Sequence, residues 1–171
     1  MQLLIAIVVF LSFTNSDKNG INQKHEDYKC IPCGYDCDDS TYNSPGTCSS
    51  CKMELVKKST IVFKTIQPNA IGNYIKKHPN VILLDVRTKD EFEGKADPNF
   101  GSLKNAINIP IKELESKLSS IKAFKNKEII VYCSHSHRSP LASYMLTQNG
   151  FNKITNMAGG MSVFKDKSYM R

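Results

Sequence analysis

The segment from Cys133 to Arg138 combines a potential nucleophile with a potential anion-binding group. It reads Cys-Ser-His-Ser-His-Arg and directly follows the apolar stretch 128–132. In an open α/β sheet, ligands bind beyond the carboxyl ends of the strands. A loop that curls at this edge points its backbone N–H groups inward, which favours a bound anion and also favours Cys133 as a thiolate. Arg138 adds a planar guanidinium that suits an oxyanion.

Two other interpretations of this loop are open. Cys133 could be a buried structural cysteine at the end of a strand, or it could form a metal site with His135 and His137. Because alternate loop residues need not converge on one ion, we expect both histidines to line the mouth of the loop. Protonation there would add positive charge.

A second group of cysteines lies in residues 28–59. Cys30 and Cys33 form one Cys-x2-Cys pair, Cys48 and Cys51 form another, and fourteen residues separate the pairs. This spacing is typical of one tetrahedral thiolate site, most often for Zn²⁺, although Cu(I) or another soft ion would fit equally well. The segment is rich in turn residues and poor in apolar ones, so a metal would supply its cohesion.

Disulfide bonds are the alternative for these cysteines, because an exported chain meets an oxidising compartment. Cys37 is unpaired in the pattern. It could be an alternative ligand, a resolving thiol for Cys133, or a bystander.

The elements that must position Cys133 alternate between strand-like and helix-like stretches. We predict strands at 61–66, 81–86, 106–109, 128–132 and 153–156, and helices at 68–77, 89–93, 111–121 and 139–149. Fully apolar strands that alternate with helices indicate an α/β fold with a parallel sheet flanked by helices on both faces.

The N-terminal run Leu3–Phe13 is almost entirely apolar. Its length suits a signal peptide and is short for a membrane span. We therefore predict a signal peptide at 1–16, a polar linker at 17–27, a Cys-rich module at 28–59 and the α/β domain at 60–171. The protein would be exported, periplasmic or secreted, without a stable membrane span after cleavage. An uncleaved membrane anchor is the alternative.

The net charge of +7 is unevenly distributed. Residues 17–59 carry six Lys and seven acidic residues, whereas 60–171 carry fourteen Lys, three Arg and nine acidic residues. The basic second part favours acidic or anionic partners in general. Its lysines are scattered and lack interleaved aromatic residues, so the pattern argues against a nucleic-acid partner.

Four stretches of the second part resemble the successive signatures of a rhodanese homology domain. They are LLDVRTKDEF at 83–92, GSLKNAINIP at 101–110, VYCSHSHRS at 131–139 and AGGMSVF at 158–164. The resemblance implies that Cys133 takes sulfane sulfur from a donor such as thiosulfate, becomes a persulfide and passes the sulfur to a thiol or another thiophilic acceptor, with no cofactor. Arg138 would hold the anionic end of the donor. The N–H groups of the loop would hold the rest, through Ser134, His135, Ser136, His137 and Arg138.

The length of the loop separates sulfur transfer from phosphoryl transfer. Four residues lie between Cys133 and Arg138, and related phosphatase-like loops have five and form a wider ring.

The strand-end residues Asp85 and Arg87 are expected to be scaffolding. Asp85 would accept backbone hydrogen bonds in the following turn, and Arg87 is spaced to pair with Glu91 across one helical turn.

The Cys-rich module resembles the small heavy-metal-binding domain of copper-handling membrane proteins, a zinc-ribbon-like unit. Tyr28, Pro45-Gly46 and the stretch 51–55 carry the resemblance, although Lys52 stands where a Gly usually follows the last Cys. The sequence thus predicts an exported sulfurtransferase with an attached metal-binding module. The alternative is a metal-handling or metal-sensing protein whose second domain binds without turnover. A phosphatase or arsenate reductase is a weaker third alternative.

Overall fold

The structure is a computed structural model that describes residues 26–171. The predicted signal peptide and nearly all of the predicted linker lie outside the described residues. Within residues 26–171, none of the helices has both the length and the apolar character that crossing a bilayer requires.

The Cys-rich module forms a small antiparallel sheet of three strands in the order β1-β3-β2. The strands are β1 (Tyr28–Cys30), β2 (Gly46–Thr47) and β3 (Glu54–Lys57). Leu55 is the one buried aliphatic residue of the core cluster within this module, and the other buried members of that cluster are cysteines. The shortage of apolar residues noted in the sequence is therefore made up by thiol groups.

The second part is built on a five-stranded sheet in the order β4-β8-β7-β5-β6, with every pairing parallel. Its strands are β4 (Lys64–Ile66), β5 (Ile82–Asp85), β6 (Ile107–Asn108), β7 (Ile129–Tyr132) and β8 (Ile154–Met157). The predicted α/β fold with a parallel sheet is confirmed. The central strand β7 is buried along its whole length, as expected for a sheet that is covered on both faces.

Four helices cover the sheet. They are α1 (Ile71–Lys77), α2 (Lys89–Glu93), α3 (Ile111–Lys117) and α4 (Arg138–Gln148). Successive residues of β7 point to opposite faces, because side chains alternate along a strand. Val131 belongs to the cluster that contains Leu114 of α3 and Leu146 of α4, whereas Ile130 belongs to the cluster that contains Ile71 of α1.

Some predicted elements are shorter in the structure. The predicted strand 61–66 is reduced to β4, an edge strand that pairs only with β8, and Val62 before it is 67% exposed. The predicted helix 111–121 ends at Lys117, whose carbonyl oxygen accepts hydrogen bonds from the backbone N–H of Ser120 at 3.0 Å and from its hydroxyl at 2.6 Å. A serine that bonds this carbonyl competes with continuation of the helix.

The two modules share a hydrophobic core. Ile31, which lies between Cys30 and Cys33, is 2% exposed and belongs to the same buried cluster as Leu84 and Val86 of the large domain, the α/β domain at 60–171. Met53 packs against that cluster and also against the cysteine cluster. Both Cys-x2-Cys segments are therefore attached to the large domain by a neighbouring apolar side chain.

Candidate functional site

Cys133 directly follows β7 and therefore lies at the carboxyl end of the sheet, between the ends of β5 and β8. The cysteine is 1% exposed, and its thiol lies 3.4 Å from the hydroxyl oxygen of Ser139, to which it donates. Ser139 belongs to the first turn of α4. The side chain packs against the aliphatic core, yet its sulfur has a polar partner at the start of the helix that follows the loop.

Backbone carbonyl groups of the loop accept hydrogen bonds from the segment that follows β8. The carbonyl oxygens of Cys133 and Ser134 accept hydrogen bonds from the backbone N–H groups of Met161 and Ser162 at 2.8 and 3.0 Å. The backbone N–H groups of residues 134–137 donate to no protein group in the part of the chain that the structure describes. These donors are therefore available to an anion, as in other concave backbone sites.

Ser136 has the most unusual environment in the loop. Its φ is 68°, in the left-handed region, and its buried hydroxyl has no hydrogen-bond partner among the described residues. A buried polar group without a partner is costly and points to a ligand. The hydroxyl of Ser136 is therefore free to bond a substrate, and its role in binding stays a prediction.

Gly160 allows this loop to lie close to the segment that follows β8. Its φ is +64°, and a methyl group at this position would lie 2.5 Å from the carbonyl oxygen of Ser134. Only glycine fits both the backbone conformation and the close approach. The stretch 158–164 was recognised as a family signature, but its physical task becomes visible only in this contact.

Arg138 is held by Glu91. Its guanidinium donates from Nη1 to Oε2 at 2.6 Å and from Nη2 to Oε1 at 2.7 Å. Ser134 completes the network, because its hydroxyl donates to Glu91 at 2.7 Å and accepts from Arg138 at 2.9 Å. These bonds use three of the five N–H donors of Arg138, and the Nε–H and the second Nη1–H have no protein partner among residues 26–171.

The charges of this network reinforce each other. The hydrogen bond from Arg138 keeps the pKa of Glu91 far below its usual range, with smaller help from Ser134 and Thr88 and against the effect of burial. The same hydrogen bond raises the pKa of Arg138. Glu91 is therefore ionised, and it screens part of the positive charge that the sequence assigned to the loop.

Glu91 was not predicted as part of the site. It was expected to pair with Arg87, and that prediction is wrong, because Arg87 donates to both carboxylate oxygens of Asp85 at 2.7 and 3.0 Å. Glu91 also closes a capping box with Thr88, which fixes the first turn of α2. Its signal in the sequence was the capping pattern Thr-x-x-Glu, which predicts a helix start but no partner 47 residues away.

The Asp85–Arg87 pair forms a buried support beneath the site. Arg87 is 1% exposed and also donates to the carbonyl oxygen of Gly101 at 2.8 Å. The backbone N–H of Arg87 donates to Asp85 at 2.9 Å, as predicted for an acidic residue that leaves a buried strand. This pair joins the end of β5 to the turn that begins α2, and α2 carries Glu91.

His135 and His137 are both exposed on the loop. The ring of His135 lies edge-on to Phe100 at 5.2 Å, and the ring of His137 lies 5.4 Å from Tyr35 of the Cys-rich module. No group of three metal-ligating side chains that includes Cys133 occurs among residues 26–171. The positions agree with the expectation that the two histidines line the mouth.

The cysteine cluster of the module differs from the predicted set in one member. The sulfur atoms of Cys30, Cys37, Cys48 and Cys51 all lie within 4.8 Å of one another. Cys37 thus occupies the place that the spacing assigned to Cys33, and the prediction of Cys33 as a member of this group is corrected.

Asp38 holds Cys33 at the edge of the four-thiol group. Its carboxylate accepts hydrogen bonds from the backbone N–H groups of Cys33 and Gly34 at 2.9 and 2.7 Å, and from the Cys33 thiol at 3.5 Å. The short 3-10 helix Asp36–Asp39 turns Cys37 inward instead. The Cys33 sulfur remains 3.8 Å from that of Cys37, so a fifth thiol borders the group of four.

The four-thiol group suits a soft ion. Zinc–sulfur bonds of about 2.3 Å place tetrahedral ligands about 3.8 Å apart, a separation compatible with four sulfur atoms that lie within 4.8 Å of one another. All six cysteines of the chain are free thiols. The pKa of Cys48 is lowered to about 6, first by the Cys30 thiol that donates to it, whereas burial raises the pKa of Cys30. One thiolate is therefore already favoured at neutral pH.

Comparisons with known proteins agree with this architecture. The rhodanese-like domain family matches residues 70–167, more than half of the chain. A rhodanese-related protein from Thermoplasma volcanium is 33% identical over 63% of this chain and 95% of its own, with a TM-score of 0.51. A rhodanese-like domain protein from Staphylococcus aureus is 28% identical over 61% of this chain and 94% of its own, also with a TM-score of 0.51.

The tRNA uridine(34) hydroxylase of Escherichia coli K12 is 29% identical over 100 residues, which are 56% of this chain and 27% of the hydroxylase. The chain therefore spans about a quarter of the length of that relative. The matched family, the parallel sheet and the loop at the end of its central strand lead to one conclusion. The chain belongs to the rhodanese-like domain family.

Proposed function

We propose that the protein is an exported sulfurtransferase that carries sulfane sulfur on Cys133. The observation that carries the proposal is the Cys133 thiol bonded to Ser139 in the first turn of α4, at the start of a loop whose backbone N–H groups at 134–137 have no protein partner among residues 26–171. Membership of the rhodanese-like family and the basic charge of residues 60–171 support an anionic sulfur donor.

The chemistry divides into two displacements. The Cys133 thiolate attacks the outer sulfur of thiosulfate, the sulfur–sulfur bond of the donor breaks, and sulfite leaves with the electron pair. An acceptor thiolate or cyanide then attacks the outer sulfur of the persulfide, and Cys133 leaves as the thiolate. The free N–H groups of the loop stabilise the negative charge on the terminal sulfur of the persulfide, because they are oriented before the reaction begins.

Arg138 enters this mechanism as a residue that positions the loop. Two of its five N–H donors are bonded to Glu91 and a third to Ser134, so its remaining N–H groups, the backbone N–H groups of the loop and Ser136 are the donors left for the substrate. Arg138 can therefore also hold the anionic end of the donor, as the family resemblance implied. It stays with Ser134, His135, Ser136 and His137 among the proposed substrate-binding residues.

A thiosulfate-to-cyanide assay of the purified protein tests this proposal. We expect thiocyanate formation by the wild type and none by Cys133→Ser. Mass spectrometry of the Cys133 peptide after thiosulfate treatment should show an addition of about 32 Da, the mass of one sulfur. Equal inactivity of the wild type and the variant, without the added mass, rejects sulfur transfer. Hydrolysis of a phosphate ester that depends on Cys133 would instead favour the phosphatase alternative.

Export is proposed from the apolar N-terminal run. Expression of the full chain with a C-terminal tag in a bacterial host, followed by N-terminal sequencing of the periplasmic or secreted protein, tests it. A mature N-terminus at Asp17 is expected, and an intact Met1 in the cytoplasmic fraction contradicts export. An intact Met1 in the membrane fraction would favour the anchor.

The second candidate function is metal handling or sensing, which the four-thiol group favours. We propose that it holds Zn²⁺, or Cu(I) as another soft ion, through Cys30, Cys37, Cys48 and Cys51. The metal content per chain should fall in Cys37→Ser and remain near the wild-type value in the matched variant Cys33→Ser, as measured by native mass spectrometry. The reverse order would restore the ligand set expected from the spacing.

A further inference from the structure

The Cys-rich module reaches the loop that covers Cys133. The centroid of the Tyr35 ring lies 5.4 Å from that of His137, with the two planes at 55°. Tyr35 lies in the chain between Cys33 and Cys37, and it is 49% exposed. An aromatic side chain of the first module therefore lies beside the outer edge of a loop that belongs to the second.

The position of Tyr35 is set by the cysteine cluster. Its carbonyl oxygen accepts a hydrogen bond from the backbone N–H of Asp38 at 2.9 Å, within the turn that buries Cys37. On the other side of Cys33, Ile31 is inserted into the core of the large domain. Because both ends of this segment are fixed, the backbone at Tyr35 is held beside the loop that carries His137.

A second aromatic ring lies on the other side of Ser136. Phe100 meets His135 edge-on at 5.2 Å. The unpartnered hydroxyl of Ser136 thus lies in the chain between two imidazoles, each of which is in contact with an aromatic ring from outside the loop. Aromatic contacts of this kind restrict side-chain movement. One of the two comes from the Cys-rich module, and the other comes from the large domain.

We propose that Tyr35 is a specificity-determining residue that limits the size of the molecules that reach Cys133. The proposal places the entrance to Cys133 between the rings of Tyr35 and Phe100, each of which contacts one histidine of the loop. Small sulfur compounds, such as thiosulfate and low-molecular-weight thiols, would pass it in preference to bulky ones. The proposal rests on the proposed function in taking Cys133 as the reacting atom. A soft ion held by the four thiols would keep Tyr35 in place, so the module would act as one side of the entrance.

Chemical labelling of Cys133 tests the entrance without any need for sulfur transfer. The rates of modification by iodoacetamide, a small reagent, and by fluorescein maleimide, a bulky one, are measured on the Cys133 peptide by mass spectrometry. Because the Cys133 peptide is measured on its own, modification of the module cysteines does not enter these rates. The quantity of interest is the ratio of the bulky rate to the small rate, because the fraction of Cys133 present as thiolate enters both rates and cancels in that ratio.

We expect Tyr35→Ala to raise this ratio roughly threefold or more, because removal of the ring lowers the barrier for the bulky reagent more than for the small one. Tyr35→Phe is the matched control, and it should leave the ratio unchanged because it keeps the ring. Tyr35 is half-exposed, so neither change should prevent folding. The proposal is overturned if Tyr35→Ala leaves the ratio at the wild-type value or if Tyr35→Phe raises it equally.

The contribution of the module is tested separately with the Cys37→Ser variant of the full chain. If the cysteine cluster holds Tyr35 in place, this variant should raise the ratio in the same direction as Tyr35→Ala. The two together should raise it no further than Tyr35→Ala alone, because they act on one ring. An additive double variant would contradict the link between the cluster and the entrance.

The labelling result and the sulfurtransferase result fail independently. A wild type without thiosulfate activity, in which Tyr35→Ala still changes the labelling ratio, would reject the proposed function and keep the entrance. An active wild type whose labelling ratio is insensitive to Tyr35 would keep the function and reject the entrance.

Discussion

At the scale of single residues, the site depends on the hydrogen bonds that the two carboxylate oxygens of Glu91 accept. Both accept from Arg138, one also accepts from Ser134, and the other also accepts from Thr88. The carboxylate therefore joins the first turn of α2 to both ends of the Cys133 loop. A neutral amide in its place could keep some of these hydrogen bonds but not the charge that pairs with Arg138.

We predict that Glu91→Gln lowers the free energy of unfolding by about 1–3 kcal/mol at neutral pH, because hydrogen bonds to charged groups are lost. In the wild-type protein the pKa of the Glu91 carboxyl is lowered on folding from its ordinary value of 4.5. The stabilisation is therefore fully present above about pH 5, and it is lost as the pH falls through 4.5 towards the folded-state value. Urea unfolding at several pH values should show this loss in the wild type and a weaker one in Glu91→Gln. Parallel pH profiles would contradict the assignment.

Gly160→Ala should disrupt the loop, because a methyl group would meet the backbone of Ser134. Gly150→Ala is the matched control. Gly150 also has a positive φ, +81°, but its added methyl group would meet only the end of the Lys125 side chain, at 3.5 Å. Both variants bear a left-handed strain of about 1–3 kcal/mol. Only Gly160→Ala should lose persulfide formation on Cys133, as measured by mass spectrometry. Equal loss in both would mean that the close approach is unimportant.

At the scale of elements, the buried Asp85–Arg87 pair connects β5, α2 and the segment before β6. Its hydrogen bonds are internal to the structure and lie below the loop, so it belongs to the scaffold, as the sequence indicated. A buried ion pair is weak evidence for net stabilisation, but removal of one partner leaves an uncompensated charge. Removal of one partner should therefore change the free energy of unfolding measurably.

We predict that Arg87→Met lowers the free energy of unfolding by about 3–5 kcal/mol, because Asp85 would remain buried and unpaired. Lys95→Met is the control, since the Lys95–Glu93 pair spans 2.6 Å but lies at the surface and should change the stability far less. Denaturant unfolding monitored by circular dichroism provides both values. A similar change in the two variants would mean that Asp85 finds another partner.

At the scale of the whole molecule, the Cys-rich module and the large domain form one packed unit through Ile31 and Met53. The module has few apolar residues of its own, so this contact provides burial that its own sequence cannot. Cohesion of the module therefore comes from two sources, the thiol group and the core of its neighbour. The proposed entrance at Tyr35 depends on the same packing.

Ile31→Ala should destabilise the whole chain by about 2–5 kcal/mol, the usual cost of a large-to-small change in a core. Val62→Ala is the control, because Val62 is 67% exposed. Thermal unfolding should show a lower midpoint for the Ile31 variant in a single transition. A separate early transition with an unchanged main midpoint would mean that the two modules unfold independently.

The sequence by itself determined the parallel sheet and the position of Cys133 at the end of β7. Both follow from local patterns: continuous apolar strands separated by helices, and a cysteine directly after the most buried strand. The cysteine spacing likewise indicated a thiol cluster, because pairs close in sequence must be close in space. These features depend on neighbours along the chain, and local chemistry was enough to predict them.

Only the tertiary structure decided which partners these residues have. The pairing of Glu91 with Arg138, the exchange of Cys37 for Cys33 and the contact of Tyr35 with His137 join residues whose separation along the chain carries no signal of contact. Glu91 had an equally plausible partner one helical turn away, and the short Asp38 turn decided between two thiols. Alternatives of similar local energy are separated by packing, and packing is set by the whole fold.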